Sequence, residues 1–146
     1  MIPAGGTWDE LICFDTGPGN VIIDAVVAAV THGAETYDRD GIRAATGKVS
    51  EKLLAELMAH PYIHESPPKT TGREVFGVPF AREVVARGRK LGLSDDDLVA
   101  TVTAFTAESI AFNYRQFVFP RVRVDEVFLT GGGAFNPTLR RMLAER

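Results

Sequence analysis

At 146 residues, with 45% hydrophobic and 24% charged side chains, the chain has the length and composition of one globular domain rather than of a disordered segment. Its formal net charge of −3 carries no basic excess for a phosphate backbone, so nucleic acid is not an expected partner. The single cysteine, Cys13, allows no internal disulfide, and no apolar run nears the roughly 20 residues that span a bilayer. With no signal-peptide pattern at the start, the chain reads as soluble and cytoplasmic, without a membrane partner.

Met1 to Thr7 is a lead-in containing Gly and Pro, and Trp8 to Phe14 carries the first expected strand. Its apolar residues are continuous rather than alternating, as in a sheet covered on both faces, so an α/β arrangement is expected, with Cys13 a buried, inert thiol. The strand delivers Asp15 into the turn Thr16-Gly17-Pro18-Gly19-Asn20. An aspartate carboxylate there can accept a proton, and two glycines permit close ligand approach while Pro18 stiffens the bend. Taken alone, the turn is better explained by Asp15 merely bonding nearby N–H groups. Val21 to Val30 then reads as a deeply buried helix capped by Asn20, with Asp24 in its first turn and Gly33 as its stop.

Tyr37 to Gly41 begins like a calcium loop but lacks the later acidic ligands, and a surface turn is expected. Ser50 caps a helix over Glu51 to Ala59 with an apolar stripe of Leu53, Leu54, Leu57 and Met58. His60 and His64 are four apart, but Pro61 interrupts a regular helix through them, so no metal is assigned. His60 to Gly77 is the longest irregular stretch, and its Lys69 and Arg73 read as solvated loop charges able to meet a carboxylate or phosphate. Phe80 to Leu91 reads as an amphipathic helix ended by Gly92. Ser94 with Asp95, Asp96 and Asp97 starts a long helix whose Leu98, Val102, Phe105, Ser109 and Phe112 form a packing stripe until Pro120, roughly 22 residues and about 33 Å. It is expected to lie on the back of a sheet.

Val124 to Thr130 is the second expected strand, running into Gly131-Gly132-Gly133-Ala134-Phe135-Asn136-Pro137. Three glycines allow a ligand against bare backbone, Asn136 is a good N-cap and Pro137 suits the first helical position. Strand, glycine loop and helix start together read as a nucleotide site, although the loop is neither a P-loop nor a dinucleotide fingerprint, and a plain tight turn also accounts for it.

Phe14 to Asn20 with Asp24 and Ala25, Pro67 to Phe76, and Gly131 to Pro137 together resemble the anhydro-N-acetylmuramic acid kinases of the sugar kinase, Hsp70 and actin superfamily. Tyr37 to Gly41 and His60 to Tyr62 also match, and Thr70 stands where the family usually has Ser. The resemblance implies a partial ribonuclease H-like α/β lobe, helix-rich with few strands, corresponding to residues 1–146 as part of the C-terminal lobe of a two-lobe kinase more than twice as long. It implies ATP and Mg²⁺ as cofactors, a small sugar as substrate, Asp15 as catalytic base, Thr16 and Gly17 as sugar or phosphate contacts, and Gly131, Gly132, Gly133 and Asn136 beside the adenosine. The first lobe and its phosphate loop are not in this sequence, so the chain is expected to be inactive alone. Two strands with open edges lead to an expectation of self-association or a homodimer. A non-catalytic nucleotide-binding or assembly module is the competing function.

Overall fold

A computed structural model describes residues 6–7, 9 and 11–146, and the start of the first expected strand, Trp8 included, lies partly outside them. The chain is helical: α1 (Asn20–Val30), α2 (Ile42–Thr46), α3 (Glu51–Met58), α4 (Pro61–His64), α5 (Arg73–Phe76), α6 (Val78–Lys90), α7 (Asp95–Asn113) and α8 (Pro137–Ala144). Among the described residues there is no β-strand, which corrects the expectation of two. Residues 11–16 and 122–130 carry no regular secondary structure. A strand exists only through a backbone ladder, and residues 11, 13 and 14 make no backbone hydrogen bond to residues 124–130. The two segments nevertheless flank one cleft of about 500 Å³, lined by Ile12, Cys13, Phe14, Val124, Val127 and Phe128. Cys13 is exposed rather than buried, because no sheet covers it.

The core is built around α7. Ser94 caps it with a complete capping box: its hydroxyl accepts from Asp97 N at 3.1 Å while Asp97 Oδ2 accepts from Ser94 N at 3.1 Å. Leu98, Val102, Phe105 and Ser109 of the expected stripe are buried and Phe112 partly so, but Val99, Ala100, Thr101, Thr103, Ala104, Thr106 and Ala107 are buried too, on every side of the helix. α7 is therefore a central helix, not one laid on the back of a sheet. Its small residues let neighbours approach, and its hydroxyls satisfy themselves locally: Thr101 donates to Asp97 O at 2.7 Å and Thr103 to Val99 O at 2.8 Å. α1, α2, α3 and α8 pack around it, and α1 also packs on α6. A π-helical turn, Tyr114–Val118, carries α7 on to the stop before Pro120.

The remaining helices follow local chemistry. Ser50 Oγ accepts from Leu53 N at 3.3 Å and starts α3 where expected. α1 begins one residue early, with Gly19 (φ +55°) at its cap; Asn20 is the first helical residue and does not cap it, and Asp24 falls beyond the first turn. Tyr37 to Gly41 is more than a surface turn. Asp38 is 5% exposed, and its carboxylate accepts from Arg43 N at 2.9 Å and Ala44 N at 3.0 Å, starting α2. As expected, no regular helix runs through His60 and His64: Pro61 opens the single turn of α4, and His60 stays outside it as the cap, its Nδ1 accepting from Tyr62 N at 3.2 Å.

Candidate active site

Asp15 is held by main chain and side chain together. Its N–H donates to Lys69 O at 3.1 Å, its carbonyl accepts from the Tyr62 hydroxyl at 2.9 Å, and its Oδ2 accepts from Thr70 Oγ1 at 2.8 Å and Thr71 N at 2.9 Å. The segment that meets it is the 67–72 loop between α4 and α5. Asp15 is exposed, and both bonds to its carboxylate fall on Oδ2; Oδ1 has no donor among the described residues. A carboxylate fixed through one oxygen and unoccupied on the other can accept a hydrogen bond or a proton from outside the protein. Burial raises the Tyr62 phenol to about 12, helped by the charges of Asp15, Glu65 and Glu74, so the hydroxyl remains a donor to Asp15.

Behind Asp15 the backbone runs along α7. Thr16 O accepts from Asn113 Nδ2 at 3.0 Å, and Gly19 O accepts from Thr106 Oγ1 at 2.9 Å. Gly17 lies against Ser109: a Cβ there would come within 2.7 Å of its Oγ, so glycine serves this close approach. Thr16 borders the cleft shared with Cys13, Phe14, Tyr114 and Val118.

The second glycine loop folds onto α1. Gly131 adopts φ +74°, a conformation that favours glycine, and Gly132–Phe135 forms a 3₁₀ turn. A Cβ on Gly132 would lie 3.0 Å from Asn20 Nδ2, and one on Gly133 would lie 2.8 Å from Asn20 Oδ1. Asn20 thus joins the two loops that the sequence keeps more than a hundred residues apart. Asn136 is 9% exposed and caps α8, Oδ1 accepting from Leu139 N at 2.9 Å. Around this junction is a cleft of about 500 Å³ lined by Asn20, Asp24, Tyr37, Asp38, Gly132, Phe135 and Asn136. Burial pushes Asp24 above the usual carboxylate range, against the pull of Arg73.

The sequence singles out Asp15 and the glycine loop but not the residues that support them. Lys69 is not a solvated charge: it is 8% exposed, and its ammonium donates to Tyr62 O and Ile63 O, each at 3.1 Å. Thr70 and Thr71 carried no signal beyond lying in a long loop. Asn113 had one, an amide in the last turn of an apolar helix. No cluster of three or more His, Cys, Asp or Glu able to hold a metal occurs among the described residues, and none of the helices described is long and apolar enough to cross a membrane.

A family model described as anhydro-N-acetylmuramic acid kinase matches residues 7–146. The chain belongs to this family. It is 46% identical to the anhydro-N-acetylmuramic acid kinase of Caldanaerobacter subterraneus subsp. tengcongensis over 146 residues, which is all of this chain and 37% of that one. The kinase of the same name from Clostridioides difficile is 43% identical over 139 residues, covering 95% of this chain and 35% of the relative. That of Bacillus cereus is 43% identical over 143 residues, covering 98% and 36%. The chain therefore spans a little over a third of the length of the curated relatives it matches.

Proposed function

We propose that residues 1–146 are part of the C-terminal lobe of an ATP-dependent kinase for 1,6-anhydro-N-acetylmuramic acid, supplying its catalytic base and the adenosine side of its nucleotide site. The observation that carries this reading is the one-sided fixing of the Asp15 carboxylate, with Oδ1 left to a substrate. Asp15 takes a proton from water attacking the anomeric carbon. The new C1–O bond forms as the bridging C1–O6 bond breaks, and O6 receives the γ-phosphoryl group while ADP leaves. Thr16, beside the base, is the nearest candidate for a sugar or phosphate contact, and Gly17 sets its place through Ser109.

The cleft bordered by Gly132, Phe135 and Asn136 has the volume of a small-molecule site, and Phe135, 82% exposed, offers a ring face to a base. Gly131 and Gly133 flank Gly132 in the same loop. Mg²⁺ supplies charge neutralisation at the transferring phosphoryl group.

The reading is tested by exchanging this segment into the Caldanaerobacter relative in place of the matching 37% of that chain. The chimera turns over the anhydro sugar, and the 146-residue chain alone does not, since one lobe does not align the γ-phosphate with its acceptor. Asp15→Asn lowers turnover by about 10² to 10⁴ and leaves ATP affinity, measured by calorimetry, unchanged. Gly132→Val displaces Asn20 and weakens ATP binding first. Near-normal turnover of Asp15→Asn would make the carboxylate structural.

A further inference from the structure

Lys69 is the most buried cationic side chain near the site, and nothing in the reaction above uses it. Its ammonium lies 4.9 Å from the centre of the Tyr62 ring and 5.4 Å from that of Phe117, and donates to the carbonyls of Tyr62 and Ile63 in the short helix α4. A charge is removed from water here only because two carbonyls and two ring faces receive it. Burial accordingly holds the ammonium below the usual lysine range, with Glu65 opposing.

Every contact that fixes Asp15 passes through the residues this ammonium ties together. Asp15 N–H bonds to the carbonyl of Lys69 itself. The hydroxyl on Asp15 O belongs to Tyr62, whose carbonyl Lys69 holds. The two donors on Oδ2 come from the next two residues, Thr70 and Thr71. Ile63 O is shared between Lys69 and Asn113, and Asn113 in turn holds Thr16 O, so the anchor also reaches the residue after Asp15.

We infer that Lys69 is a positioning residue for the Asp15 carboxylate: its buried ammonium anchors the 67–72 loop to α4, so that Thr70 and Thr71 hold Oδ2 and leave Oδ1 to accept the proton. The inference deepens the kinase reading and rests on Asp15 being the base. Its structural half stands independently of any activity.

The chain labelled with ¹⁵N at threonine reports both the contact and the fold, because Thr71 donates to Asp15 while Thr101, Thr103 and Thr106 lie inside α7. Asp15→Asn gives the Thr71 amide position without a carboxylate partner. Lys69→Met, which suits a pocket of aromatic rings, moves Thr71 most of the way from its wild-type position to that reference, with the α7 threonines unmoved. If it does not give a folded spectrum, Lys69→Gln, which keeps a donor, moves Thr71 the same way by less. In the chimera Lys69→Met lowers kcat about tenfold with KM for ATP unchanged. Thr71 remaining at its wild-type position in a folded Lys69 variant, or a fall in kcat that KM for ATP follows, would overturn the inference. If Asp15→Asn retains turnover while Thr71 still moves in Lys69→Met, it is the kinase reading that has failed and the anchoring role that survives.

Discussion

Gly17 shows how a residue singled out for ligand contact is constrained from behind. The Asp-Thr-Gly turn suggested room for a ligand, yet the missing Cβ faces Ser109 Oγ at 2.7 Å. Gly17→Ala therefore lowers stability by about 1–3 kcal/mol, the usual range for overpacking a filled interior. Ser109→Ala removes the nearer atom and recovers part of the loss, which urea titrations of the two single variants and the double variant measure as a coupling. Additive losses would mean that Gly17 is needed for its backbone conformation instead. Asn20 has the reverse history: expected as a helix cap, it lies against Gly132 and Gly133.

Among the elements, α4 carries a histidine cap that responds to pH. His60 Nδ1 accepts from Tyr62 N at 3.2 Å, which requires an unprotonated nitrogen, and its ring packs on Phe76 and Phe80 at centroid distances of 5.0 and 5.6 Å. Burial lowers the His60 pKa, with the charge of Glu65 opposing. A histidine whose folded value lies below its unfolded one, about 6.5, stabilises the fold fully above that pH and loses its contribution as pH falls through the folded value. Stability measured by urea unfolding thus declines between about pH 7 and pH 5. His60→Asn keeps a cap acceptor without the titration, so its decline is shallower. Parallel curves for the two proteins would show that other groups set the acid limit.

At the scale of the molecule, α7 is the spine against which the other helices are placed, and Phe105 is fully buried on it beside Phe76. One face lacks such cover. Val127 and Phe128, 54% and 83% exposed, border the cleft beside Ile12, Cys13 and Phe14. Exposed apolar surface of this kind binds apolar probes and occurs at protein contacts and ligand grooves alike, and the relatives carry most of their length outside the matched segment. The chain should therefore bind an apolar fluorescent dye, with Val127→Ser/Phe128→Ser binding less and the chimera hardly at all. Equal dye signals in the chain and the chimera would mean that this face stays open in the longer protein.

The sequence by itself determined what local chemistry controls. The capping box at Ser94, the cap at Ser50, Asn136 before Pro137 and the buried run of α1 were all legible, because caps and periodicity act within one turn of chain. The ordered motifs likewise carried the family, as the match over residues 7–146 shows. Tertiary structure decided the rest. Whether Leu11 to Phe14 is a strand depends on a ladder partner, whether α7 is amphipathic or central depends on how many neighbours surround it, and whether Lys69 is solvated depends on carbonyls and rings brought in from Tyr62, Ile63 and Phe117. The support of Asp15 belongs to this second group. Thr70 and Thr71 lie more than fifty residues further along the chain, and only the docking of the 67–72 loop makes them its hydrogen-bond donors.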